Sequence, residues 1–246
     1  MVEQRMEDFM KQSVANVLAP TGRLRVGLYP GSPTSFLSAG GALPERGLGL
    51  ELGRAFAAFL EVPFEPVMYE TNGEILSAAR EELLDLVLVN ATPVRAQYLA
   101  LAEPVLFTDQ TYLVGPNCSV TNIAQIDQAG LRIGVSAGST SEATLPGLLK
   151  QAEVVSTQGL DQVVDLIRKG KLDAFATNKP VLFELADRLS GAVILDGAWG
   201  TESIALGIPK RREMALETLR NFSQAAQSSG LVEQAVRRAG MRGAKL

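Results

Sequence analysis

The strongest constraint on the fold is a regular alternation of short apolar strands with amphipathic helices along most of the chain. Strands separated by helices of roughly 10–15 residues predict βαβ units, mainly parallel sheets and a protein of the α/β class. Apolar runs typical of strands occur at residues 23–29, 62–67, 84–89, 131–135, 153–156, 172–176 and 192–195. Helical spacing of apolar residues indicates helices at 47–60, 74–84, 160–168 and 179–189, one opening at 137–143, and two within 212–239 that join at Gly230.

Composition excludes several classes of site and partner. The 246 residues contain no histidine and one cysteine, Cys118, so zinc sites of the His/Cys type, Ser-His-Asp triads and intramolecular disulfides are impossible. We therefore expect no metal and no cofactor. The formal net charge of −4 argues against a nucleic-acid partner. No run approaches the roughly 18 apolar residues of a membrane span, which argues against insertion into a membrane.

The first twenty residues, MVEQRMEDFMKQSVANVLAP, do not resemble a secretory signal, because they are acidic and have no continuous apolar stretch. Met6, Met10, Val14 and Val17 are instead spaced as on a short amphipathic helix. Two interpretations stay open: the protein is periplasmic if a signal peptide was removed, and otherwise cytoplasmic. The acidic, helical start favours the second.

Positive charge is concentrated near the end of the sequence. Residues 200–246 contain 8 Lys+Arg and 4 Asp+Glu, a net charge of +4, which leaves −8 for residues 1–199. Basic clusters on helices are usually solvated faces, and we expect that here. The alternative is a surface for an anionic partner.

In parallel α/β sheets, ligands bind beyond the carboxyl ends of the strands. One such end carries Asn90-Ala-Thr-Pro-Val-Arg95, where Thr92 is a good N-cap and Pro93 suits the first turn of a helix. Arg95 would then point back toward the strand ends, where a guanidinium can hold a carboxylate or phosphate through two hydrogen bonds. The alternative is a surface arginine at a helix start.

Two further strand ends carry polar loops. Gly138 allows a tight turn before Ser139 and Thr140, and the N–H groups of a helix start form a natural anion site. Ser139 or Thr140 with Glu142 also matches a capping box, which can coexist with binding. Asn178 ends a strand just before a helix and is either a binding residue or a simple N-cap.

The sequence shows no paired carboxylates typical of acid–base catalysis. The glutamates that could serve are scattered and no spacing forces two of them together: Glu51, Glu70, Glu142, Glu184 and Glu202. We also see no internal sequence repeat.

Taken together, these segments resemble the polar amino acid type of periplasmic solute-binding proteins (solute-binding family 3, the type II periplasmic-binding fold). The resemblance runs from about Leu24 to Gly240. It rests on the order of six segments: LRVGLYP, the Gly-rich GLGLEL at 47–52 that leads into a helix, LDLVLVNATPVR with its Thr-x-x-Arg, AEPVLFTDQTYLV, IGVSAGSTSEA and KGKLDAFATNKPV.

The resemblance implies an α/β protein of two Rossmann-like lobes joined by two crossing strands, with the ligand between the lobes. Residues 1–111 and 201–246 would form lobe 1, and residues 112–200 would form lobe 2. The protein would be a monomer that closes on its ligand like a flytrap, and its partners would be a small anionic solute and an ABC importer permease.

The resemblance also implies the site residues. Arg95 would hold the ligand α-carboxylate, and Ser139 and Thr140 would supply a hydroxyl and N–H groups from lobe 2. The other expected contacts, from the strand ends of both lobes, are Tyr29, Leu88, Asn90, Thr92 and Asn178.

One position departs from the family pattern. Where the family has an acidic residue that holds the α-ammonium, this chain has Asn178. An amide replaces an ion pair with a neutral hydrogen bond, at a cost of about a few kcal/mol for a desolvated charge. From this position alone we expect a ligand with an anionic group but without an α-ammonium, such as a keto acid or hydroxy acid.

The expected function is binding of a small carboxylate-bearing solute, amino-acid-like or an organic anion, without catalysis. Two alternatives remain open. One is an enzyme of the cyclohexadienyl dehydratase type, which would need a buried general acid; Glu202 and Glu70 are the candidates. The other is a cytoplasmic ligand sensor that uses the basic tail as its partner surface.

Overall fold

The computed structural model describes residues 12–38 and 44–246. Residues 12–18 form helix α1, which contains Val14 and Val17; Met6 and Met10 lie outside the described residues. In the described ranges, no helix is long and apolar enough to cross a membrane. In the same ranges, no group of three or more His, Cys, Asp or Glu side chains is placed to hold a metal ion.

The elements alternate as the apolar pattern predicts. The first part of the chain contains β1 (Leu24–Leu28), α2 (Leu48–Phe59), β2 (Phe64–Met68), α3 (Asn72–Arg80), β3 (Val87–Asn90), β4 (Leu99–Leu101) and β5 (Leu106–Val114). The middle contains β6 (Arg132–Ser136), α4 (Thr140–Leu148), β7 (Glu153–Thr157), α5 (Leu160–Arg168), β8 (Ala174–Asn178), α6 (Lys179–Arg188) and β9 (Val193–Ile194). The last part contains β10 (Gly200–Pro209), α7 (Leu216–Ser228), α8 (Leu231–Ala239) and β11 (Ala244–Lys245). The predicted α/β class is confirmed.

Two long strands connect the lobes. β5 and β10 pair with each other in antiparallel register. β10 also pairs with β3 of lobe 1, and β5 also pairs with β8 of lobe 2. The parallel pairs lie within the lobes, β1 with β2 in lobe 1 and β6 with β7 and β8 in lobe 2. The fold is therefore two α/β lobes joined by two crossing strands.

Each lobe has its own apolar packing. In lobe 1, Leu48, Leu52 and Phe56 follow each other at intervals of four on α2 and are fully buried. The ring of Phe56 lies 4.8 Å from that of Phe222 on α7, so the helix near the start of lobe 1 packs on one from the end of the chain. In lobe 2, the apolar face of α5 packs against β8 and α6. These cores fix the strand ends that form the site.

An arginine–aspartate clamp occurs once in each lobe with the same geometry. In lobe 1, Arg25 on β1 donates from Nε and Nη2 to Asp85 at 2.9 and 2.7 Å. In lobe 2, Arg132 on β6 donates from the same atoms to Asp173 at 2.9 and 3.0 Å. Each arginine also donates to the backbone carbonyl three residues before its aspartate. The two lobes therefore share this clamp although the sequence shows no evident internal repeat.

Candidate functional site

A cavity of about 60 Å³ lies between the lobes, where the strand ends of both meet. This volume accommodates several water molecules. It is lined mainly by polar side chains. The lining residues from lobe 1 and β10 are Tyr29, Thr34, Glu70, Thr71, Asn72, Leu88, Val89, Asn90, Arg95, Glu202 and Ile204. Those from lobe 2 are Ser136, Ser139, Thr140, Gly159, Leu160, Thr177 and Asn178.

Arg95 brings a buried positive charge to the cavity. Only 6% of the residue is exposed, and its Nη1 donates to the backbone carbonyl of Asn90 at 3.0 Å. Burial lowers the pKa of Arg95, and the negative charge of Glu202 raises it in part. A guanidinium has five N–H donors, so this cation has further donors to offer to an anion.

The turn that carries Arg95 is shorter than expected. The helix predicted after Pro93 is a single 3₁₀ turn, Arg95–Gln97, because the chain must extend again at Leu99–Leu101 to pair with β10. The hydroxyl of Thr92 accepts from the Arg95 backbone N–H at 3.3 Å. Thr92 thus holds the turn in place and does not line the cavity, although it was expected to contact the ligand.

Asn90 links the two lobes across the cavity. Its Oδ1 accepts from the Ser203 N–H on β10 at 2.9 Å, which fixes the orientation of the amide. Its Nδ2 then donates to the hydroxyl of Thr140 at 3.1 Å. This bond joins the end of β3 to the first turn of α4, as in a closed cleft.

The first turn of α4 faces the cavity with part of its donors free. Ser139 is the N-cap and accepts from the Glu142 N–H at 3.1 Å, while Glu142 reaches back to the Gly138 N–H at 2.7 Å. The predicted capping box is therefore present. Thr140 and Ser141 are the first two helical residues, whose N–H groups have no acceptor inside a helix. They are the donors that this helix start can offer to an anion.

Asn178 and Glu202 meet at the cavity wall. Asn178 caps α6 by accepting from the Val181 N–H at 3.2 Å, and its Nδ2 donates to Glu202 at 2.9 Å. Gln110 on β5 donates to the other Glu202 oxygen at 3.0 Å. Burial raises the pKa of Glu202, which the hydrogen bond from Asn178 and the charge of Arg95 offset in part.

Tyr29 and Leu88 complete the lobe 1 wall. The Tyr29 hydroxyl donates to Ser32 at 3.2 Å, and burial raises its pKa despite its hydrogen-bonding neighbours. Leu88 is the apolar contact at the end of β3. Of the eight expected site residues, the structure brings all but Thr92 to the cavity wall.

The sequence suggested Glu202 only as a possible catalytic acid and not as a binding residue. Apart from Glu70, the other polar residues of the cavity wall that were not expected as ligand contacts are Thr34, Thr71, Asn72, Ser136 and Thr177. One sequence feature could have identified Glu202: it is the one charged residue in the sequence of β10, GTESIALGIP. Glu70, the other candidate for an acid, is exposed and lies at the rim of the cavity.

The lobes touch at two glycines, Gly73 in α3 and Gly138 before α4. A Cβ on Gly138 would overlap the Cα of Gly73, and Gly138 has a φ of +71°. We expect Gly138→Ala to weaken ligand binding at least about tenfold, because the closed state must open to admit the methyl group; isothermal titration would measure this.

Gly130→Ala is the matched control for this prediction. Gly130 has a φ of +88° but no atom within 4 Å of an added Cβ. Both variants carry the strain of an alanine at positive φ, about 1 kcal/mol or slightly more. Equal affinities of the two variants would show that the glycine contact does not limit closure.

The comparison with known proteins supports the fold. No protein-family model matches the sequence. Among solved structures, a mutant of ArgBP from T. maritima has a TM-score of 0.82 at 16% identity, over 92% of this chain and 99% of that one. An amino acid ABC transporter substrate-binding protein from Streptococcus pneumoniae, bound to L-arginine, has a TM-score of 0.80 at 18% identity, over 94% and 99%.

A third similar structure is an ancestral amino acid-binding protein that is described as a precursor of cyclohexadienyl dehydratase. Its TM-score is 0.79 at 21% identity, over 91% of this chain and 98% of that one. At these identities the likeness establishes the fold of the type II periplasmic binding proteins. The structural neighbours are mostly amino acid substrate-binding proteins of ABC transporters.

Proposed function

We propose that this protein binds a small carboxylate-bearing solute in the cavity between its lobes, as the substrate-binding protein of an ABC-type importer. Lobe 1 would comprise residues 1–111 and 201–246, and lobe 2 residues 112–200. The observation that carries the proposal is Arg95, a cation that is 94% buried at the wall of an inter-lobe cavity. A buried cation is costly unless an anion pairs with it.

The donors around Arg95 suit a carboxylate. The N–H groups of Thr140 and Ser141 open the first turn of α4, where the helix dipole favours negative charge. Arg95 belongs to lobe 1 and α4 to lobe 2, so one anion can bind both and stabilise the closed state through its contacts with the second lobe. The similar proteins named for arginine binding support a ligand of amino-acid size.

A thermal-shift panel tests the proposal. It would contain L-amino acids, 2-oxo acids and 2-hydroxy acids, each paired with its amide as a matched control that lacks the carboxylate charge. We expect at least one carboxylate to raise the melting temperature by several degrees and its amide to have almost no effect. Equal shifts for acids and amides, or no shift with any acid, would contradict the proposal.

One observation supports the dehydratase alternative. Glu202 is a buried carboxyl at the cavity wall, and burial raises its pKa. A general acid in such chemistry must lie at the cavity wall to donate a proton to the leaving hydroxyl, and Glu202 lies there. One structural neighbour is described as a precursor of cyclohexadienyl dehydratase. Turnover of prephenate or arogenate by the purified protein would favour the enzyme, and binding without turnover would favour the solute-binding function.

The sensor alternative receives less support from the basic tail. Each of the eight Lys and Arg residues at 200–246 lies within ion-pair distance of a carboxylate of the same chain. Paired surface charges are typical of a solvated face and leave little net field for an anionic partner. The tail therefore does not favour a second function.

A further inference from the structure

Glu202 is placed unusually for a carboxylate. It lies on the crossing strand β10, it is 92% buried, and it lines the cavity that also contains Arg95. The ion pairs of the described residues do not include Glu202. A buried carboxylate without a cation is costly unless hydrogen bonds or a ligand compensate for it.

Two neutral amides hold the Glu202 carboxylate in a fixed orientation. The Oδ1 of Asn178 is used by the Val181 N–H, so its Nδ2 necessarily faces Glu202. The Nε2 of Gln110 donates to the other oxygen. Each carboxylate oxygen can accept a second hydrogen bond, so the group still has acceptor capacity toward the cavity.

We infer that Glu202 is the counter-ion for the α-ammonium of the ligand, in place of an acidic residue at position 178. The inference rests on the proposed function and narrows its ligand to a zwitterion, with the carboxylate at Arg95 and the ammonium at Glu202. Asn178 is then a positioning residue that caps α6 and aims the Glu202 carboxylate.

This inference replaces the expectation of a ligand without an ammonium. That expectation considered only position 178 as a counter-ion for the ammonium, and the chain has an amide there. The structure puts a carboxylate 2.9 Å from the Asn178 Nδ2, on a strand 24 residues further along the chain. The cavity thus contains one buried positive and one buried negative group, which complements the charges of an α-amino acid.

Isothermal titration with matched pairs of ligands tests the inference. Each of the twenty L-amino acids would be compared with the deaminated acid that has the same side chain. We expect the wild-type protein to bind the best amino acid roughly 100-fold more tightly than its deaminated acid, as for a buried charge pair. In Glu202→Gln, this ratio should fall below about tenfold, because the amino acid loses its counter-ion while the carboxylate contact remains.

The variants isolate the charge. Glutamine at 202 has nearly the same shape, and Gln110 can turn its amide to accept a hydrogen bond from it. Glu217→Gln, an exposed change on α7, is the matched control and should leave the ratio unchanged. Asn178→Ser keeps a capping hydroxyl but removes the amide donor to Glu202, so the ratio of the two affinities should fall in this variant as well.

The outcomes separate this inference from the proposed function. The inference would be overturned if the wild-type protein bound deaminated acids as tightly as amino acids. It would also be overturned if Glu202→Gln left the ratio of the two affinities unchanged. Either result would leave carboxylate binding intact. If neither class of acid binds, the proposed function fails as well. If Glu202→Gln does not fold, which circular dichroism would show, the ratio measured in Asn178→Ser decides the point, because this variant removes the amide donor to Glu202.

Discussion

Replacement of Arg95 by alanine is expected to weaken binding of the best carboxylate ligand at least roughly 100-fold, or about 2.7 kcal/mol. Arg95 is 94% buried at the cavity wall, so in a complex its guanidinium would be a desolvated, charge-assisted donor. Loss of one partner from such a buried pair typically costs about 2–5 kcal/mol. Isothermal titration of the ligand-free protein would measure the change.

Two control variants make the Arg95 result specific. Arg95→Lys keeps the charge but loses the planar fork of donors, so an intermediate affinity is expected. Cys118→Ser changes a half-buried residue that packs against the core of lobe 2, away from the cavity, and should bind as the wild-type protein does. Unchanged affinity in Arg95→Ala would remove this residue from the site.

Replacement of Asp85 by alanine is expected to lower the free energy of unfolding by about 3–5 kcal/mol. The side chain of Asp85 is fully buried and forms ion pairs with Arg25 at 2.7 Å and with Arg212 at 2.6 Å. Both arginines have little exposed surface, so without Asp85 they would remain as poorly solvated charges. Urea unfolding followed by circular dichroism would measure the loss.

The equivalent clamp in lobe 2 supplies the comparison. Asp173 has the same bonds to Arg132, but the two side chains are 23% and 35% exposed and water can replace each partner. Asp173→Ala should therefore lose less stability than Asp85→Ala. Equal losses in the two variants would mean that burial does not determine the strength of the clamp.

Local patterns predicted most of the fold because each helix carries its apolar face in its own sequence. Helix α5 was predicted with its observed bounds, since its apolar residues all face the core of lobe 2. The Thr92-Pro93 pattern predicted a helix, but the structure has one 3₁₀ turn there. A capping pattern depends only on neighbouring residues and cannot indicate that strand β4 begins at Leu99.

The correspondence between the two clamps could not be predicted for a related reason. The clamp residues are 60 positions apart in lobe 1 and 41 in lobe 2, so no constant spacing is visible in the sequence. The match becomes evident only when the segments LRVG at Leu24 and LRIG at Leu131 are placed on equivalent strands.

The site was predicted only where strand ends mark it. Arg95, Asn90 and Asn178 follow apolar strands, and the general rule for α/β sheets indicated them. Glu202 lies inside a strand that crosses between the lobes, and its contact with Asn178 depends on the pairing of β10 with β5 and of β5 with β8. Such a contact requires the order of strands in the sheet, which local sequence does not give.

The position of Glu202 on a strand shared by both lobes has a kinetic consequence. We expect Glu202 to stay near Arg95 when the cleft opens, because β10 pairs with β3, the strand that precedes Arg95. A solute would then meet both charges before Asn178, Ser139 and Thr140 of lobe 2 close on it. We expect changes at Ser139 and Thr140 to shorten the dwell time of the solute and to leave its capture rate almost constant, as stopped-flow fluorescence would reveal.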